Sequence, residues 1–271
     1  MNIAILGAGN MGKAIIGGLK KAYGGEVRVV AWDKFPGALE GLGDGVEALN
    51  PSHWKSAGFV PDVVIVSVKP ADVSALLCDA VVPLIKEHGF DFLTVSVAAG
   101  VSIHAIRLSL GDAARVCRVM PNTPALIGEG MSAYSLCGNC SESDAKLAEY
   151  VFSACGKVVS VYEGLMDAVT GLSGSGPAFA YSFIEALAEG GVGVGLPYKL
   201  AMDMAVQTVV GAARMVQATS EHPSVLRSRV MSPGGTTVKG LEALERAAFK
   251  STVMSAVSEA AAQSARMAGQ K

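Results

Sequence analysis

Short apolar runs alternate with amphipathic stretches along about the first 160 residues of the chain. The apolar runs are rich in β-branched residues and predict buried strands at Asn2–Leu6, Val27–Ala31, Asp62–Val68, Phe92–Val97, Arg115–Met120 and Lys157–Val161. Apolar residues recur at helical spacing between strands, in 14–19, Val73–Lys86 and Glu142–Ala154. Strands that alternate with helices form a parallel sheet with helices on both faces. We therefore predict an α/β domain with a doubly wound, mostly parallel sheet over residues 1–162.

The strand signals end near Tyr162, and Ala-, Gly- and Met-rich stretches with helical spacing follow to the end of the chain. They predict helices at Ala178–Glu189, Pro197–Ala218, Ser224–Val230, Thr237–Ala247 and Phe249–Met267. One segment, 200–214, is apolar on nearly every face. Such a helix is buried either within its own domain or between identical chains. We predict an all-helical domain over residues 163–271 and favour a homo-oligomer interface.

Composition narrows the classes of partner. Hydrophobic residues make up 51% of the 271-residue chain, which is enough for two ordinary domains. The net charge is −2 and no run of Lys or Arg forms a basic stripe, so we expect neither nucleic acid nor a membrane surface as a partner. The longest uncharged stretch, Ala168–Ile184, is interrupted by glycines and Pro177, which argues against a membrane-spanning helix. The first strand begins at Asn2, which leaves no space for a cleavable leader, and we expect a cytoplasmic protein.

The cysteines do not indicate a metal site. There are five, an odd number, and Cys117 lies in a predicted strand, which is typical of reduced thiols. Cys137 and Cys140 have the spacing of a ligand pair, but neither a second pair nor a nearby His accompanies them. We interpret this C-x-x-C as a turn with two incidental thiols and expect no bound metal.

A glycine-rich turn directly follows the first strand. The sequence of 7–12, Gly-Ala-Gly-Asn-Met-Gly, is a complete G-x-G-x-x-G at a strand-to-helix junction. In such a turn the first Gly permits a tight bend, the second lets a pyrophosphate approach the backbone, and the third allows close helix packing. Asp33 lies 21 residues after Gly12, where dinucleotide-binding domains place the acid that binds the adenosine ribose. We predict a dinucleotide site; a purely structural glycine turn is the alternative.

Three further loops lie just past predicted strands, at Val68–Pro70, Ala98–Gly100 and Pro121–Pro124. In doubly wound sheets, ligands bind outside the carboxyl ends of the strands, so these loops should line the cofactor crevice. The residues that we expect to bind the cofactor are Gly7, Ala8, Gly9, Asn10, Met11, Gly12, Asp33, Asn50, Val68, Lys69, Pro70, Ala98 and Ala99.

Two Gly-rich segments of the helical region are candidates for the chemistry. Gly171–Ala178 reads GLSGSGPA and opens a helix at Pro177, with a hinge that caps the helix as the alternative. In Val230–Glu242, Ser-Pro-Gly-Gly-Thr-Thr precedes a helix and would direct several backbone N–H groups into one concavity, which suits a carboxylate. A tight turn with a Thr N-cap is the alternative there.

Several motifs together resemble the pyrroline-5-carboxylate reductase family. They are Gly7–Gly12, Val68–Pro70, Met120–Pro124, Gly171–Ala178 and His222–Glu245, and the resemblance runs from end to end. The last segment is similar to that family's signature and is too long to match by chance. The resemblance implies an N-terminal Rossmann-type domain, a C-terminal helical dimerisation domain, and an oxidoreductase that uses NADPH or NADH.

The implied reaction is the reduction of 1-pyrroline-5-carboxylate to L-proline, the last step of proline biosynthesis. A hydride would reach the imine carbon, which becomes C5 of proline, and a proton would reach the nitrogen. By similarity, the backbone of Gly234, Gly235, Thr236 and Thr237 would bind the substrate carboxylate, and Glu163 would favour the protonated iminium. The Thr237 hydroxyl would face the ring nitrogen. Because a Thr hydroxyl is too weak an acid to carry the proton alone, we expect Thr237 to polarise, orient or relay from water.

The resemblance also implies how the chains assemble. Relatives interlock as dimers through their helical domains, so we expect a homodimer, or an assembly of such dimers, in which a site takes its Gly-Gly-Thr-Thr loop from the partner chain. Two residues depart from the family pattern. Ser220 and Arg229 stand where some relatives carry Glu or Gln and Asn, so neither inherits a role.

The cofactor preference depends on the residues after the second strand. Asp33 would repel a 2′-phosphate and favours NADH, whereas Lys34 beside it would attract one. We predict that NADH is at least competent, and the use of both cofactors stays open.

Two other functions stay open at the level of sequence. A β-hydroxyacid dehydrogenase combines similar domains, but it would need a Lys where Ala180 stands, four residues after Gly176. A non-catalytic dinucleotide-binding module would share the glycine turn without needing the Ser-Pro-Gly-Gly-Thr-Thr segment, and fold alone does not exclude it. Oxidation of NADH that depends on the imine distinguishes the three.

Overall fold

The computed structural model describes residues 1–89 and 91–269. The strands are β1 (Asn2–Leu6), β2 (Arg28–Trp32), β3 (Val46–Ala48), β4 (Val63–Val66), β5 (Leu93–Ser96), β6 (Arg115–Met120), β7 (Gly130–Leu136) and β8 (Gly156–Ser160). They form one sheet in the order β3-β2-β1-β4-β5-β6-β7-β8. Neighbouring strands are parallel except β6 and β7, which are antiparallel. The predicted mostly parallel sheet is confirmed.

Helices cover both faces of the sheet. Those of this part of the chain are α1 (Asn10–Tyr23), α2 (Val73–Leu76), α3 (Val82–His88), α4 (Ile103–Leu110), α5 (Glu142–Ser153) and α6 (Met166–Val169). On one face, α2, α3 and α4 pack with Trp54 and Phe59 over β4. On the other face, α1 and α5 bury Ile15 and Phe152 against the central strands. Each face therefore has its own apolar core, which is the physical meaning of a doubly wound sheet.

The register of the central strands sets where a ligand can bind. Leu6 at the end of β1 pairs with Trp32 in β2 and with Val66 in β4. The carboxyl ends of the three strands are therefore level, and the loops that follow them share one edge of the sheet. This is the edge at which doubly wound sheets bind ligands.

Three elements of the fold lie outside the strands and helices that the sequence predicts. They are the short edge strand β3, the antiparallel strand β7 and the helix α4. The β7 sequence, GMSAYSL, begins with Gly and mixes Ser with apolar residues, so its β signal is weak until it pairs with β6 and β8. Helix α4 has eight residues, and the hydroxyl of Ser102 caps it by accepting from the Ala105 N–H at 3.1 Å.

The helix predicted at Val73–Lys86 is present but irregular. A π-helical segment at Leu77–Val81 joins α2 to α3. Pro83 lies in the first turn of α3 and has no backbone N–H to donate to the preceding turn. Because a regular i to i−4 ladder cannot pass through Pro83, the helix widens just before it.

The described chain forms two compact units. The first is Met1–Ser175 together with the residues from Glu259 on, and the second is Gly176–Ser258. The first unit thus extends past the domain boundary placed after residue 162 in the sequence. Residues 163–175 have their contacts there: the side-chain amide of Asn122 donates to the Ser173 carbonyl at 3.0 Å, and a Cβ on Gly174 would lie 2.6 Å from the Met120 side chain.

The second unit is helical, as the sequence predicted. Its helices are α7 (Gly176–Gly193), α8 (Tyr198–Thr219), α9 (Pro223–Arg229), α10 (Thr236–Arg246) and the first part of α11 (Phe249–Gly269). Helices α7 and α8 approach closely, since a Cβ on Gly191 would lie 3.1 Å from the Ala201 Cβ. Among the described residues of this unit, the buried apolar side chains are Ala188, Ala201 and Ala205. Alanines alone make a small core.

Large apolar side chains of this unit are exposed in the single chain, including Val194, Leu200, Met204, Met215, Val253 and Met254. Leu200 and Met204 lie one turn apart on α8, and exposed apolar side chains that adjoin one another mark interaction surfaces. Within the described residues, no helix combines the length and the apolar character that crossing a membrane requires. The exposed apolar residues instead favour an interface with another protein surface.

Two adjacent glycines of α1 test the packing of this helix. A Cβ on Gly18 would lie 2.7 Å from the Cys155 Sγ and 2.8 Å from the Ala154 carbonyl oxygen, whereas Gly17 is exposed with no heavy atom within 4 Å. We expect Gly18→Ala to lower the free energy of unfolding by about 1–3 kcal/mol through overpacking. The matched control Gly17→Ala should raise it by about 0.5–1 kcal/mol, because Ala favours a helix over Gly.

Urea denaturation of both variants at one protomer concentration measures the difference. A Gly18→Ala variant as stable as Gly17→Ala would show that the helix does not pack this closely on the α5–β8 junction.

Candidate functional site

The glycine turn joins β1 to α1 at the ligand-binding edge of the sheet. Gly7 has φ +106° and donates its N–H to the Trp32 carbonyl at 2.8 Å. A Cβ on Gly7 would lie 2.4 Å from the Ser67 carbonyl oxygen, and one on Gly12 would lie 2.1 Å from the Gly7 carbonyl oxygen. Both positions therefore need Gly because of the protein's own packing.

Gly9 differs from its two companions. A Cβ at this position would meet no atom within 4 Å, so the space beside it is open. Gly9 is also the N-cap of α1 and has no side chain to cap it. The first hydrogen bond of the helix runs from the Lys13 N–H to the Gly9 carbonyl, at 2.9 Å. The N–H groups of Asn10, Met11 and Gly12 come before it and therefore have no acceptor within the helix. Open space beside such N–H groups is what a phosphate requires.

The Asp33 carboxylate connects this turn to the end of β2. Its Oδ2 accepts the Ala8 N–H at 2.8 Å, and its Oδ1 accepts the Phe35 N–H at 2.9 Å. The two bonds hold the side chain in place next to the glycine turn. A carboxylate offers about four lone-pair sites, so Asp33 retains acceptor capacity for the hydroxyls of a ribose.

A cavity of about 520 Å³ opens at this edge of the sheet. Of the residues expected to bind the cofactor, it brings together Gly7, Gly9, Asp33, Val68 and Lys69. Residues that the sequence does not indicate as binding residues also line it: Trp32, Phe35, Ser67, Asp72, Ala75, Leu76 and Asp79. They come from the end of β2, from the loops after β2 and β4, and from the helical segments that follow β4. In the sequence, only the position of these residues at or after the ends of predicted strands could have indicated a role in binding. Which of their side chains face the cavity depends on the fold.

Ser67 is the clearest of the missed residues. Its Oγ is buried and finds no hydrogen-bond partner among the described residues, although Ser67 lines the cavity. A buried hydroxyl without a partner costs free energy, and a bound ligand that reaches it would remove that cost. Together with the open space at Gly9 and the acceptor at Asp33, this hydroxyl fits a dinucleotide with hydroxyl and phosphate groups.

The remaining expected cofactor residues lie elsewhere in the first unit. The Asn50 side chain accepts from the Ser52 N–H at 3.0 Å and caps a short turn, outside the residues that line the cavity. Ala98 is buried, and Ala99 lines a smaller cavity of about 240 Å³ with Thr170, Ser175 and Ser264. The Ser264 Oγ donates to the Asp167 carboxylate at 2.6 Å beside it. The binding roles of Asn50, Pro70, Ala98 and Ala99, like those of the other expected cofactor residues, stay predictions.

Glu163 has protein partners. Its Oε1 accepts the Ile103 N–H at the start of α4 at 2.7 Å and lies 3.3 Å from the Arg118 Nη1. The Arg118 side chain is only 9% exposed, so Glu163 supplies the counter-charge to a buried guanidinium. The carboxylate is therefore held at a defined position between α4 and β6.

The Gly-Gly-Thr-Thr segment lies in the second unit. Gly234 has φ +69°, Gly235 is the N-cap of α10, and Thr236 and Thr237 form the first turn. The Lys239 N–H donates to the Gly235 carbonyl at 3.3 Å, so the N–H groups before it are left for other acceptors. Gly235 donates to the Ser232 carbonyl at 2.9 Å, which closes the turn. The N–H groups of Thr236, Thr237 and Val238 therefore stand at the start of α10 next to the two Thr side chains, and their role in binding a carboxylate stays a prediction.

The Cys137–Cys140 pair is a closed turn. The two sulfur atoms are 3.1 Å apart, and the Cys140 N–H donates to the Cys137 carbonyl at 3.0 Å. Burial raises the pKa of the Cys140 thiol to about 12, which keeps it protonated. Among the described residues, no three His, Cys, Asp or Glu side chains are grouped so that they could hold a metal ion.

Two protein-family models match the chain, one in each half. Residues 163–267 match the family model described as pyrroline-5-carboxylate reductase dimerisation. Residues 2–100 match the model described as NADP oxidoreductase coenzyme F420-dependent.

Individual relatives cover most of the chain. The chain is 47% identical to a pyrroline-5-carboxylate reductase of Arabidopsis thaliana over 203 residues. This aligned region spans 75% of this chain and 72% of that protein. The chain is 41% identical to the Pisum sativum pyrroline-5-carboxylate reductase, over 97% of this chain and 94% of the relative. A crystal structure of a Plasmodium falciparum pyrroline carboxylate reductase with NADP bound has a TM-score of 0.86 at 30% identity, over 99% of this chain and 98% of that one.

Ser67→Ala tests the unpartnered hydroxyl. Without cofactor, we expect the free energy of unfolding to stay the same or rise by up to about 1 kcal/mol, because an unsatisfied buried group is removed. The Kd for NADH should rise about two- to tenfold, because the hydroxyl loses its ligand partner. Urea denaturation and fluorescence titration measure the two effects.

Ser141→Ala is the control with the opposite pattern. Ser141 caps α5 in a capping box with Asp144, away from the residues that line the cavity. Its loss should lower stability by about 1 kcal/mol and leave the Kd for NADH unchanged. An unchanged Kd in Ser67→Ala would contradict the proposed contact.

Proposed function

The chain belongs to the pyrroline-5-carboxylate reductase family, and on this premise we propose that it uses the glycine-turn cavity and the Gly-Gly-Thr-Thr cradle to reduce 1-pyrroline-5-carboxylate to L-proline. The resemblance found in the motifs is thereby confirmed at the level of the family. The protein is an NAD(P)H-dependent oxidoreductase of proline biosynthesis. The observation that carries the assignment of the substrate is the cradle of N–H groups at the start of α10, since the substrate is a small carboxylate.

The first unit supplies the cofactor site. NAD(P)H, when bound, supplies the hydride that the imine carbon receives. The N–H groups at the start of α1 would hold the pyrophosphate beside Gly9, Asp33 would accept from ribose hydroxyls, and Ser67 would gain the partner it lacks. Because the dimerisation family matches residues 163–267, we propose residues 1–162 as the dinucleotide-binding domain and residues 163–271 as the substrate and oligomerisation domain, although residues 163–175 and the end of α11 belong to the first compact unit.

The second unit supplies groups for the substrate. The turn Gly234–Thr237 would bind the carboxylate through backbone N–H groups other than that of Gly235, which closes the turn, and the Thr237 hydroxyl would orient the ring nitrogen. The Thr hydroxyl itself is too weak an acid to protonate the ring nitrogen. The proton is therefore either already on the nitrogen, because the substrate binds as the iminium, or it arrives through water. Glu163, which lies in the first unit, would be the carboxylate that favours the iminium. Its contacts with Arg118 and the Ile103 N–H give it a fixed position from which to act.

The assembly follows from the dimerisation domain and from the exposed apolar residues. Residues 163–267 match a dimerisation family, and Leu200, Met204 and Met215 are exposed in the single chain. We propose a homodimer through the helical domain, or an assembly of such dimers, in which each active site takes its Gly-Gly-Thr-Thr turn from the partner chain. We also propose that the protein works in the cytoplasm, without nucleic-acid or membrane partners.

Thr237→Ala tests the substrate site in an assay of NADH or NADPH oxidation that depends on 1-pyrroline-5-carboxylate. We expect kcat/KM to fall about tenfold to a thousandfold while the Kd for the cofactor is unchanged. Thr237→Ser keeps the hydroxyl and should recover most of the lost activity. Wild-type kinetics in Thr237→Ala, or a Thr237→Ser variant as impaired as Thr237→Ala, would refute the role of the hydroxyl.

The shared site is tested by mixing two chains that are each impaired in a different part of the site. One carries Gly12→Val, which blocks the glycine turn, and the other carries Thr237→Ala. In a randomly mixed dimer population, half of the dimers are mixed and each has one complete site of two, so activity should return to about a quarter of wild type. Activity that stays at the level of the separate variants would show that each chain completes its own site.

A further inference from the structure

Charged side chains surround the cavity next to Asp33. Asp33, Asp72 and Asp79 line it together with Lys34 and Lys69, which gives three carboxylates against two ammonium groups. A cofactor with a 2′-phosphate brings about two further negative charges, since a phosphate monoester has its second pKa near 6. The placement of the cations therefore decides how well such a cofactor is tolerated.

Lys34 is already engaged by an ion pair. Its Nζ lies 3.0 Å from the Asp72 Oδ1 and 5.2 Å from the centroid of the Phe35 ring. Asp72 belongs to the loop after β4, and Lys34 to the loop after β2, so the pair bridges the two loops. The cation that the sequence places next to Asp33 is thus directed to a carboxylate of the protein.

We propose that Asp72 is a second determinant of cofactor choice, which acts with Asp33 by holding Lys34 in an ion pair so that NADH is bound in preference to NADPH. The proposal rests on the proposed function only for the identity of the cofactor. It assigns Asp72 a role in binding and none in the chemistry of the imine.

Two features make Asp72 a better determinant to test than Asp33. The Asp33 carboxylate holds the Ala8 and Phe35 N–H groups, so its removal would also loosen the glycine turn. The Asp72 and Lys34 side chains are 42% and 55% exposed, and exposed pairs contribute little to stability. Breaking the pair should therefore change recognition without unfolding the protein. It frees Lys34 for a charge-assisted hydrogen bond to phosphate.

The test measures Kd for NADH and NADPH in the full chain by the fluorescence of the bound nicotinamide. A second pair of probes, 5′-AMP and adenosine 2′,5′-bisphosphate, reports the adenosine end without any reaction. We expect Asp72→Asn to raise the affinity for NADPH about tenfold relative to NADH, and to shift the ratio for the two adenosine probes likewise. High salt should reduce this gain, because it screens exposed charges.

Asp79→Asn is the matched control. Asp79 lines the same cavity and carries the same charge, but no ion pair between it and Lys34 occurs in the described part of the chain. This variant should change the cofactor ratio less than twofold. Lys34→Gln combined with Asp72→Asn should abolish the gain, since the freed ammonium is its source.

Three results would overturn the proposal. They are an unchanged cofactor ratio in Asp72→Asn, an equal shift in Asp79→Asn, and a gain that persists without Lys34. The proposed reaction can fail separately. A chain that binds the nucleotides but does not oxidise them in the presence of the imine would refute the reaction, and the Kd ratios would still decide the role of Asp72. A wild-type chain that binds neither cofactor would overturn both.

Discussion

The close approach of β1, α1 and the loop after β4 is the constraint on which the cofactor site depends. Gly7 lies so near the Ser67 carbonyl, and Gly12 so near the Gly7 carbonyl, that any side chain would collide with backbone. This contact places the start of α1 directly over the carboxyl ends of the central strands. The N–H groups at the helix start therefore point into the space that the strand ends enclose. Gly9, which needs no room for packing, leaves that space open.

The same edge of the sheet collects the charges that distinguish one cofactor from another. Asp33 is fixed by two backbone N–H groups, and Lys34 turns to Asp72 across the opening. A carboxylate that is hydrogen-bonded to backbone cannot move away from an approaching phosphate, so its repulsion is unavoidable. Because the Lys34 ammonium group is paired with Asp72, it offsets this repulsion of the phosphate less than an unpaired ammonium group would. Cofactor choice is thus a property of two loops that lie far apart in sequence.

In the helical unit, the small apolar side chains are buried and many large ones are exposed, unlike in the sheet domain, where large apolar side chains fill the core. The helical unit's buried apolar residues in the described chain are alanines, while Met and Val side chains remain exposed on α7, α8 and α11. Small residues let helices approach closely but bury little apolar area per residue. This region matches a dimerisation family, which favours a second copy of the chain as the partner of those exposed side chains. In the proposed dimer the apolar area comes from association, and the same helices carry the Gly-Gly-Thr-Thr turn.

The sequence by itself determined the alternation of strands and helices, the glycine turn, the family and most helix bounds of the second unit. These features are local, because β-branched runs, helical periodicity and Gly-rich turns act over a few residues. The tertiary structure decided the antiparallel β7, the Lys34–Asp72 pair, the orphaned Ser67 hydroxyl and the partners of Glu163. Each of these joins segments distant in the chain or depends on which side chain faces a cavity. No local pattern encodes such contacts, since they arise only when the sheet places its strand ends side by side.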